Sequence, residues 1–281
     1  MTVGDTERAW LRKWVERTCA NRMGEDKNYL LDTRLAPVVR QFDLNGLGGL
    51  VVNLKRNSRG ELADAVVDAM TTNETSFFRD RSYFEALENQ ILPALVEGRR
   101  QEQTFGIWSA ASSTGQEIYS VAMLIRERFP ELLGWKLRMF ATDISPHALH
   151  RAQEGIYSPL EIGRGLPERM RSRYLKPVSG GFQVDARVRD MVEFRRVNLD
   201  HAWPAFGRLD LVMVRNVLIY FEDDVRSRVL ERATRQLSKT GLLVLGAQER
   251  PPEHARLVKD KTHHYPVYRG ISLLDALAGR R

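Results

Sequence analysis

The chain has 281 residues, with 43 Lys and Arg against 36 Asp and Glu, and a net charge of +7. Its 43% hydrophobic and 28% charged residues are ordinary for a folded globular protein and exclude long disordered or collagen-like character. No run approaches the roughly 18 apolar residues of a membrane helix, and the first residues carry no apolar signal region. We therefore expect a cytoplasmic protein without membrane insertion. The single cysteine, Cys19, cannot form an internal disulfide and is expected to be an apolar residue on a helix face.

Helical periodicity dominates the first part of the chain. Apolar residues recur at helical spacing in three segments: 7–20, 27–42 and 61–72. Gly46, Gly48 and Gly49 are expected to interrupt the chain between the second and third segments. This pattern predicts an N-terminal all-helical domain over residues 1–72, which is nearly neutral with 11 basic and 10 acidic side chains.

From about residue 105, apolar β-type runs alternate with helical ones. The predicted strands are 105–110, 136–143, 209–216 and 241–247, and the predicted helices are 116–129, 146–155 and 223–237. Such alternation is typical of an α/β domain with a parallel sheet and helices on both faces, here over residues 105–281. Residues 73–104 are then a linker and ligand clamp.

Residues 157–196 break the alternation. Ser179, Gly180 and Gly181 predict a turn between two β-type segments, so a small antiparallel β-subdomain is expected to be inserted here. The same region carries a basic stretch, 164–176, which either attracts an acidic partner or is a solvated helix face.

Ligands of open parallel sheets bind beyond the carboxyl ends of the strands, so the residues that follow each predicted strand are candidates. Small residues follow the first strand at 109–115, but they include one glycine only, a poor match to a dinucleotide loop. Asp143 ends the second strand, where it can accept both hydroxyls of an adenosine ribose or cap the helix that begins near Pro146. Arg215 and Asn216 follow the third predicted strand.

Residues 71–80 combine polar groups, two phenylalanines and an arginine at the junction between the two predicted domains. Two interpretations remain open. The segment is a ligand clamp, or it is a helix N-terminus capped by Thr72 or Asn73 with a buried Phe pair.

Together these segments resemble the chemotaxis receptor methyltransferases, the CheR-type enzymes. The resemblance rests on TNETSFFR (72–79), WSAASSTGQEIYS (108–120), ATDIS (141–145), EGIY (154–157), VNL (197–199) and RNVLIYF (215–221). It implies a Rossmann-like class I methyltransferase domain, α/β in class, with an N-terminal helical domain and a small antiparallel β-subdomain. It also implies S-adenosylmethionine-dependent methylation of glutamate side chains on the cytoplasmic helices of chemoreceptors.

The resemblance further implies the site residues. The cofactor contacts fall on Asn73, Thr75, Arg79, Glu117, Asp143, Asn198, Leu199, Arg215 and Asn216. Asp143 is the implied ribose ligand, and Asn198 and Leu199 flank the adenine. Arg79 and Tyr220 lie nearest the reacting centre. A glutamate, with an ordinary pKa of about 4.3, is already ionised at neutral pH, so no general base and no metal is needed.

The expected partner is the acidic helical bundle of a chemoreceptor, bound by a monomer. Candidate docking cations are Lys27, Arg34 and Arg40 in the second helical segment. Some family members also bind a receptor tail peptide at the edge of the β-subdomain. The hairpin here lacks the longer glycine-bearing loop of those members, which favours a tail-independent enzyme.

Several other functions are disfavoured. A nucleic-acid partner is not expected. Methylation of cytosine carbon 5 needs a cysteine in the catalytic domain, whereas Cys19 lies in the helical region. Enzymes that methylate the adenine amino group usually have two prolines after an Asn or Asp at this position, whereas Val-Leu-Ile follows Asn216 here. A nicotinamide dehydrogenase needs a better glycine fingerprint. A non-catalytic S-adenosylmethionine-binding sensor or scaffold of the same fold stays as the alternative. His254, His263 and His264 could suggest a metal, but the surrounding sequence is more typical of a last strand.

Overall fold

The structure is a computed structural model that describes residues 4–20, 23–253, 255, 257–263 and 265–270.

The first four helices form a separate apolar cluster. The helices are α1 (Asp5–Cys19), α2 (Asn28–Gln41), α3 (Gly46–Arg56) and α4 (Glu61–Met70), with a 3₁₀ turn at Glu25–Lys27. Their inward faces, including Leu11, Leu31, Leu50 and Val66, are fully buried against one another. Burial of this shared face stabilises the four helices as a layer.

Helix α3 was not predicted, and the expectation that Gly46, Gly48 and Gly49 interrupt the chain was wrong. All three glycines lie inside the first turn of α3. Leu47, Leu50, Val51 and Leu54 follow at helical spacing and are buried. Each glycine weakens a helix by about 1 kcal/mol relative to alanine, but burying four aliphatic side chains outweighs that cost.

The rest of the chain alternates strands and helices. In chain order come α5 (Arg81–Ala86), a π-helical turn (Leu87–Ile91), α6 (Leu92–Glu97), β1 (Thr104–Ala110), α7 (Gln116–Arg128), a 3₁₀ turn (Pro130–Gly134), β2 (Lys136–Asp143) and α8 (Pro146–Glu154). Next are β3 (Ile156–Tyr157), α9 (Pro159–Gly163), α10 (Glu168–Tyr174), β4 (Leu175–Val178), β5 (Gly181–Val184) and α11 (Ala186–Arg189). The last are β6 (Val192–Arg196), β7 (Leu209–Val214), a 3₁₀ turn (Leu218–Tyr220), α12 (Asp223–Gln236), β8 (Leu237–Leu245), β9 (Leu257–Lys259) and β10 (Val267–Gly270).

Seven strands form the main sheet, in the order β6-β2-β1-β7-β8-β10-β9. The first five strands in that order are parallel, and β10 runs antiparallel to both of its neighbours. Strand β1 pairs with β2 on one side and β7 on the other, so the strand order reverses at β1. This confirms the predicted Rossmann-like α/β fold and places the switch point, where such folds bind ligands, at the end of β1.

A second, three-stranded antiparallel sheet confirms the small inserted β-structure. Its order is β3-β5-β4, and the turn between β4 and β5 contains Ser179 and Gly180 as predicted. Gly181 has a φ of +151°, and a Cβ there would lie 2.3 Å from the carbonyl oxygen of Tyr157. Only glycine therefore allows β5 to approach β3 this closely.

The predicted insert, 157–196, extends too far at its C-terminal end. Its last residues form β6, which pairs in parallel with β2 in the main sheet. Strand β6 has partly exposed and charged residues because it is an edge strand, whereas β7 is buried along its whole length. The continuous apolar pattern that identifies buried parallel strands is therefore absent from β6.

The segment predicted as linker and clamp contains two helices that cover the main sheet. Leu87, Ile91, Leu92 and Leu95 are buried in the same apolar cluster as β1 and α7. Residues 271–281, the end of the predicted α/β domain, lie outside the described part of the chain. Across the described ranges, no helix is long and apolar enough to span a membrane.

Candidate functional site

A cleft opens beyond the carboxyl ends of β1, β2, β6 and β7, with a volume of about 980 Å³ including its open mouth. All ten site residues taken from the resemblance line it: Asn73, Thr75, Arg79, Glu117, Asp143, Asn198, Leu199, Arg215, Asn216 and Tyr220. They come from five separate stretches of chain, which the parallel sheet brings to one edge.

Asp143 is a buried carboxylate at the floor of the cleft. Its Oδ2 accepts the backbone N–H of Ser113 at 2.8 Å, and its Oδ1 accepts the backbone N–H of Ser145 at 2.9 Å. Burial raises the pKa of Asp143 above its ordinary value, although these backbone N–H groups oppose the shift. The residue that caps α8 is Ser145, whose hydroxyl accepts the N–H of Ala148. The helix-capping alternative for Asp143 was therefore wrong.

Backbone strain is concentrated around this cleft. Five non-glycine residues in its bordering loops have a left-handed φ: Phe78, Asp80, Ala111, Ser113 and Asn216. Such conformations are costly and persist where neighbouring groups hold them, and they cluster at functional sites. Here the hydroxyl of Ser120 accepts the N–H of Phe78 at 3.0 Å, and Asp143 holds Ser113 as described above.

Arg215 is a buried cation that joins two walls of the cleft, with a side chain only 1% exposed. Its guanidinium donates to Glu117 Oε2 and, at 2.6 Å, to Asp80 Oδ2. It also stacks over the ring of Tyr83, 3.8 Å from the centroid. Burial by itself would lower the pKa of Arg215, but Glu117 and the tyrosines outweigh it and hold the pKa above its ordinary value. Arg215 therefore stays charged and fixes Glu117 and Asp80.

Sequence reasoning missed Glu249, which shapes the loop after β7. Its side chain is buried and accepts three backbone N–H groups, from Asn216 at 2.8 Å, Leu218 at 2.7 Å and Gly246 at 2.8 Å. The one sequence feature that could have indicated Glu249 is its position just after β8, at the carboxyl edge of the sheet. Its hydrogen bond to Asn216 joins residues 33 positions apart, so no local sequence pattern predicts it.

The segment before α5 is an irregular loop, so the alternative of a helix N-terminus capped by Thr72 or Asn73 was wrong. Of the Phe pair that this alternative placed in the core, Phe77 is fully buried and Phe78 is half-buried. Arg79 lies at the cleft and donates from Nη1 to the carbonyl oxygen of Glu74 at 2.9 Å. Among the described residues no carboxylate lies within 4 Å of this guanidinium, and no partner of the Tyr220 hydroxyl is found there either.

The end of α1 and the loop that follows α4 contribute one wall of the cleft. The hydroxyl of Ser113 donates to the carbonyl oxygen of Asn73 at 2.8 Å, and Asn198 Nδ2 donates to the carbonyl oxygen of Thr18 at 2.7 Å. Cys19, at the end of α1, also lines the cleft. Burial raises the pKa of the Cys19 thiol to about 12, so it is neutral at physiological pH. It serves as an apolar lining group, which agrees with its predicted apolar character.

The donor set of the cleft fits S-adenosylmethionine. Two buried polar atoms that line it, Ser112 Oγ and Arg215 Nε, have no hydrogen-bond partner within the part of the chain that the structure describes. Such atoms are normally satisfied, so a polar ligand is expected to reach this wall. The carboxylate of Asp143 places hydrogen-bond acceptors at the floor of the cleft. No metal-ligand cluster occurs among the described residues. His254 and His264 lie outside those residues.

The fold and the cleft together define a class I methyltransferase that uses S-adenosylmethionine. A family model described as "CheR methyltransferase, SAM binding domain" matches residues 73–265. The chemotaxis protein methyltransferase of Vibrio parahaemolyticus is 40% identical over 253 residues, which cover 89% of this chain and 90% of that protein.

Two further relatives are similar over nearly their full length. "Chemotaxis protein methyltransferase Cher2" of Pseudomonas putida and "Chemotaxis protein methyltransferase 1" of Pseudomonas aeruginosa are each 39% identical, covering 92% of this chain and 96% of either protein. The chain belongs to the CheR methyltransferase family. This confirms the resemblance drawn from the sequence motifs and disfavours the non-catalytic alternative.

Proposed function

We propose that this protein transfers the methyl group of S-adenosylmethionine to glutamate carboxylates on the cytoplasmic helices of chemoreceptors, giving methyl esters. One observation carries the proposal. Arg79 and Tyr220 line the same cleft as Asp143, and among the described residues neither polar end group is paired with another side chain. A guanidinium that makes no ion pair and a hydroxyl without a side-chain partner, both lining this cleft, suit an incoming carboxylate.

The chain's own residues act by binding and orientation. When bound, the cofactor supplies an activated methyl group on a sulfonium. Asp143 accepts the ribose hydroxyls, and Asn198 and Leu199 flank the adenine. Arg79 holds the substrate carboxylate, and the Tyr220 hydroxyl donates a hydrogen bond that sets its angle. Since the carboxylate is already ionised, in-line alignment is the main contribution, worth up to about 7–11 kcal/mol.

Cations on α2 and the turn before it support an acidic helical substrate. Lys27 and Arg40 are exposed and Arg34 is half-buried, and none of the three has an ion-pair partner in the described ranges. The basic stretch 164–176 is mostly occupied within the protein. Arg169 and Arg173 pair with Glu127, and Lys176 pairs with Asp185. We therefore assign receptor docking to α2 and a structural role to the basic stretch.

Two finer features belong to the same proposal. The turn between β4 and β5 is short, with Ser179 and Gly180 between the strands, so we assign no receptor-tail site to the inserted sheet. We also propose that the enzyme acts as a cytoplasmic monomer without a nucleic-acid partner. Titration with receptor tail peptides and a measurement of solution mass test these two statements.

A transfer assay tests the proposed function. The protein is incubated with methyl-labelled S-adenosylmethionine and the cytoplasmic fragment of a chemoreceptor from the same organism. We expect label that base releases as methanol, as an ester requires, and no label on a fragment whose candidate glutamates are replaced by glutamine. Binding of S-adenosylhomocysteine without transfer to any receptor fragment would overturn the proposal and favour the non-catalytic alternative.

A further inference from the structure

A second cleft lies behind the wall that α1 contributes to the cofactor cleft. It has a volume of about 1550 Å³ including its open mouth. It is bounded by α1, the end of α3, the start of α4 and the segments that follow β2 and β6. Trp10, Trp14, Leu54, Ala63 and Val67 form its apolar part. The methyl-transfer chemistry uses none of these residues.

The charged residues that line this second cleft are mostly positive. Four cations line it, Arg17, Lys55, Arg59 and Arg196, against the single carboxylate of Asp64. Asp64 is already paired with Arg196. Arg17, Lys55 and Arg59 are exposed and have no carboxylate partner among the described residues. An anionic ligand would therefore meet three uncompensated positive charges.

The aromatic side chains narrow the class of ligand. The ammonium of Lys55 lies over the Trp10 ring, 5.4 Å from its centroid, so a ring that stacks on this face takes the place of the Lys55 ammonium. Trp10 is only half-buried, and a flat ring can stack on its open part. Arginines bind phosphate oxygens through paired N–H donors. An acidic helix would use the cations but would leave the concave aromatic part without a partner.

The two clefts share a wall. Asn198 and Ile144 line both of them. Asn198 donates to Thr18 at the end of α1, and Arg196 Nε donates to the carbonyl oxygen of Ile144 at 3.2 Å, next to Asp143. A ligand that draws Arg196 away from Asp64 acts directly on the segment that carries Asp143. These contacts form a path by which a ligand in one cleft would change the geometry of the other.

We infer that this second cleft binds a nucleotide, a flat ring carrying phosphate groups, and that the bound nucleotide changes the affinity of the cofactor cleft. The ring stacks on Trp10, Arg17 and Arg59 hold the phosphates, and a phosphate oxygen draws Arg196 away from Asp64. The inference does not depend on the identity of the methylated substrate.

Calorimetric titration of the full-length protein tests this inference. The cofactor cleft is first saturated with S-adenosylhomocysteine, and ATP, GTP and pyrophosphate are then titrated separately. We expect the nucleotides to bind more tightly than pyrophosphate. The double variant Arg17→Ala/Arg59→Ala should weaken nucleotide binding by about tenfold or more, since each arginine supplies charge-assisted hydrogen bonds. Trp10→Leu should weaken ATP but not pyrophosphate.

Arg56→Ala is the control. Arg56 is exposed in the last turn of α3, next to the cleft-lining Lys55, but does not itself line the cleft. It should change nucleotide affinity by less than about twofold, as expected for an exposed charge that does not contact the ligand. Equal weakening by Arg56→Ala would overturn the inference as unspecific charge attraction. So would competition between nucleotide and S-adenosylhomocysteine, which would place the nucleotide in the cofactor cleft.

Two further outcomes are decisive. Absence of binding at millimolar nucleotide would overturn the inference. If an acidic receptor peptide then bound at micromolar concentration, and the double variant abolished that binding, the cleft would be a peptide site instead. The coupling is measured by repeating the S-adenosylhomocysteine titration with and without saturating ATP. A shift of at least about twofold supports linkage, and an unchanged affinity would overturn the regulatory part.

Discussion

The carboxylate of Glu249 holds the backbone of Asn216 in a left-handed conformation, accepting its N–H at 2.8 Å while Asn216 has a φ of +58°. The same carboxylate accepts the N–H of Leu218, which begins the turn that contains Tyr220. Glu249 thus connects the last parallel strand of the sheet to the residues proposed to contact cofactor and substrate.

Glu249→Gln should lower turnover without unfolding the protein. The amide oxygen can accept some of the three N–H groups, but the amide NH₂ cannot, so the loop shifts. A displacement of about 1 Å can cost up to about a hundredfold in rate. We expect kcat to fall more than the affinity for S-adenosylhomocysteine, as measured by methyl-transfer kinetics and calorimetry. Glu253→Gln, a change at an exposed carboxylate nearby, should leave both values unchanged. Equal losses in the two variants would contradict the positioning role.

Asp143→Asn should weaken cofactor binding by about tenfold to a hundredfold, since hydrogen bonds to a charged acceptor are worth about 1.5–3 kcal/mol. Because burial raises the pKa of Asp143, the carboxylate gains its proton at a higher pH than an exposed aspartate does. Affinity for S-adenosylhomocysteine should therefore decline earlier as the pH falls. The exposed Asp190→Asn variant is the control for both measurements. Full affinity in Asp143→Asn would remove this residue from the cofactor site.

Arg79→Ala should reduce turnover by about a hundredfold while leaving the protein folded. The side chain makes one hydrogen bond to a backbone carbonyl, so little stability is lost, whereas the substrate carboxylate loses its orienting partner. Arg81→Ala offers a close control, because that side chain is 92% exposed and pairs with the exposed carboxylate of Glu85. Methyl-transfer rates for both variants check this prediction. Near-normal turnover of Arg79→Ala would exclude the proposed role.

Arg215→Met should destabilise the protein by about 3–5 kcal/mol, the cost of leaving a buried charge without its partner. The affected carboxylates are Glu117 and Asp80, which Arg215 joins. Urea unfolding measures the change. The double variant Arg215→Met/Glu117→Gln should recover part of the lost stability, because it removes one of the uncompensated charges. Additive losses in the double variant would mean that the ion pair is not the cause.

Asp260 should make folding stability dependent on acid pH. Burial favours a higher pKa, but hydrogen bonds from Thr262 and Arg269 outweigh it and lower the pKa of Asp260 to about 2 from 3.8. The ionised form therefore stabilises the fold above pH 3.8, and this contribution is lost as the pH falls toward about 2. Its size is at most about 2 kcal/mol. Asp260→Asn should flatten this part of the stability curve in urea titrations, and the exposed Asp26→Asn should not.

The fold was predictable where burial leaves a continuous pattern. Strand β2 begins and ends at the predicted residues, 136 and 143, and β1 and α7 agree within one residue. Most residues of these three elements are buried, so each carries a clear cluster of apolar residues. Helix α3 and strand β6 were not found, because glycines obscure the first and an exposed edge removes the apolar pattern of the second.

The sequence by itself indicated the family and, through the motifs that carry the resemblance, the ten residues that line the cleft. Only the tertiary structure decided how those residues are held. The carboxylate of Glu249 reaches Asn216, Arg215 joins Glu117 to Asp80, and Asn198 bonds to Thr18 across 180 positions. Hydrogen bonds between distant segments leave no periodic signal in a chain, because they depend on the strand order that folding alone creates.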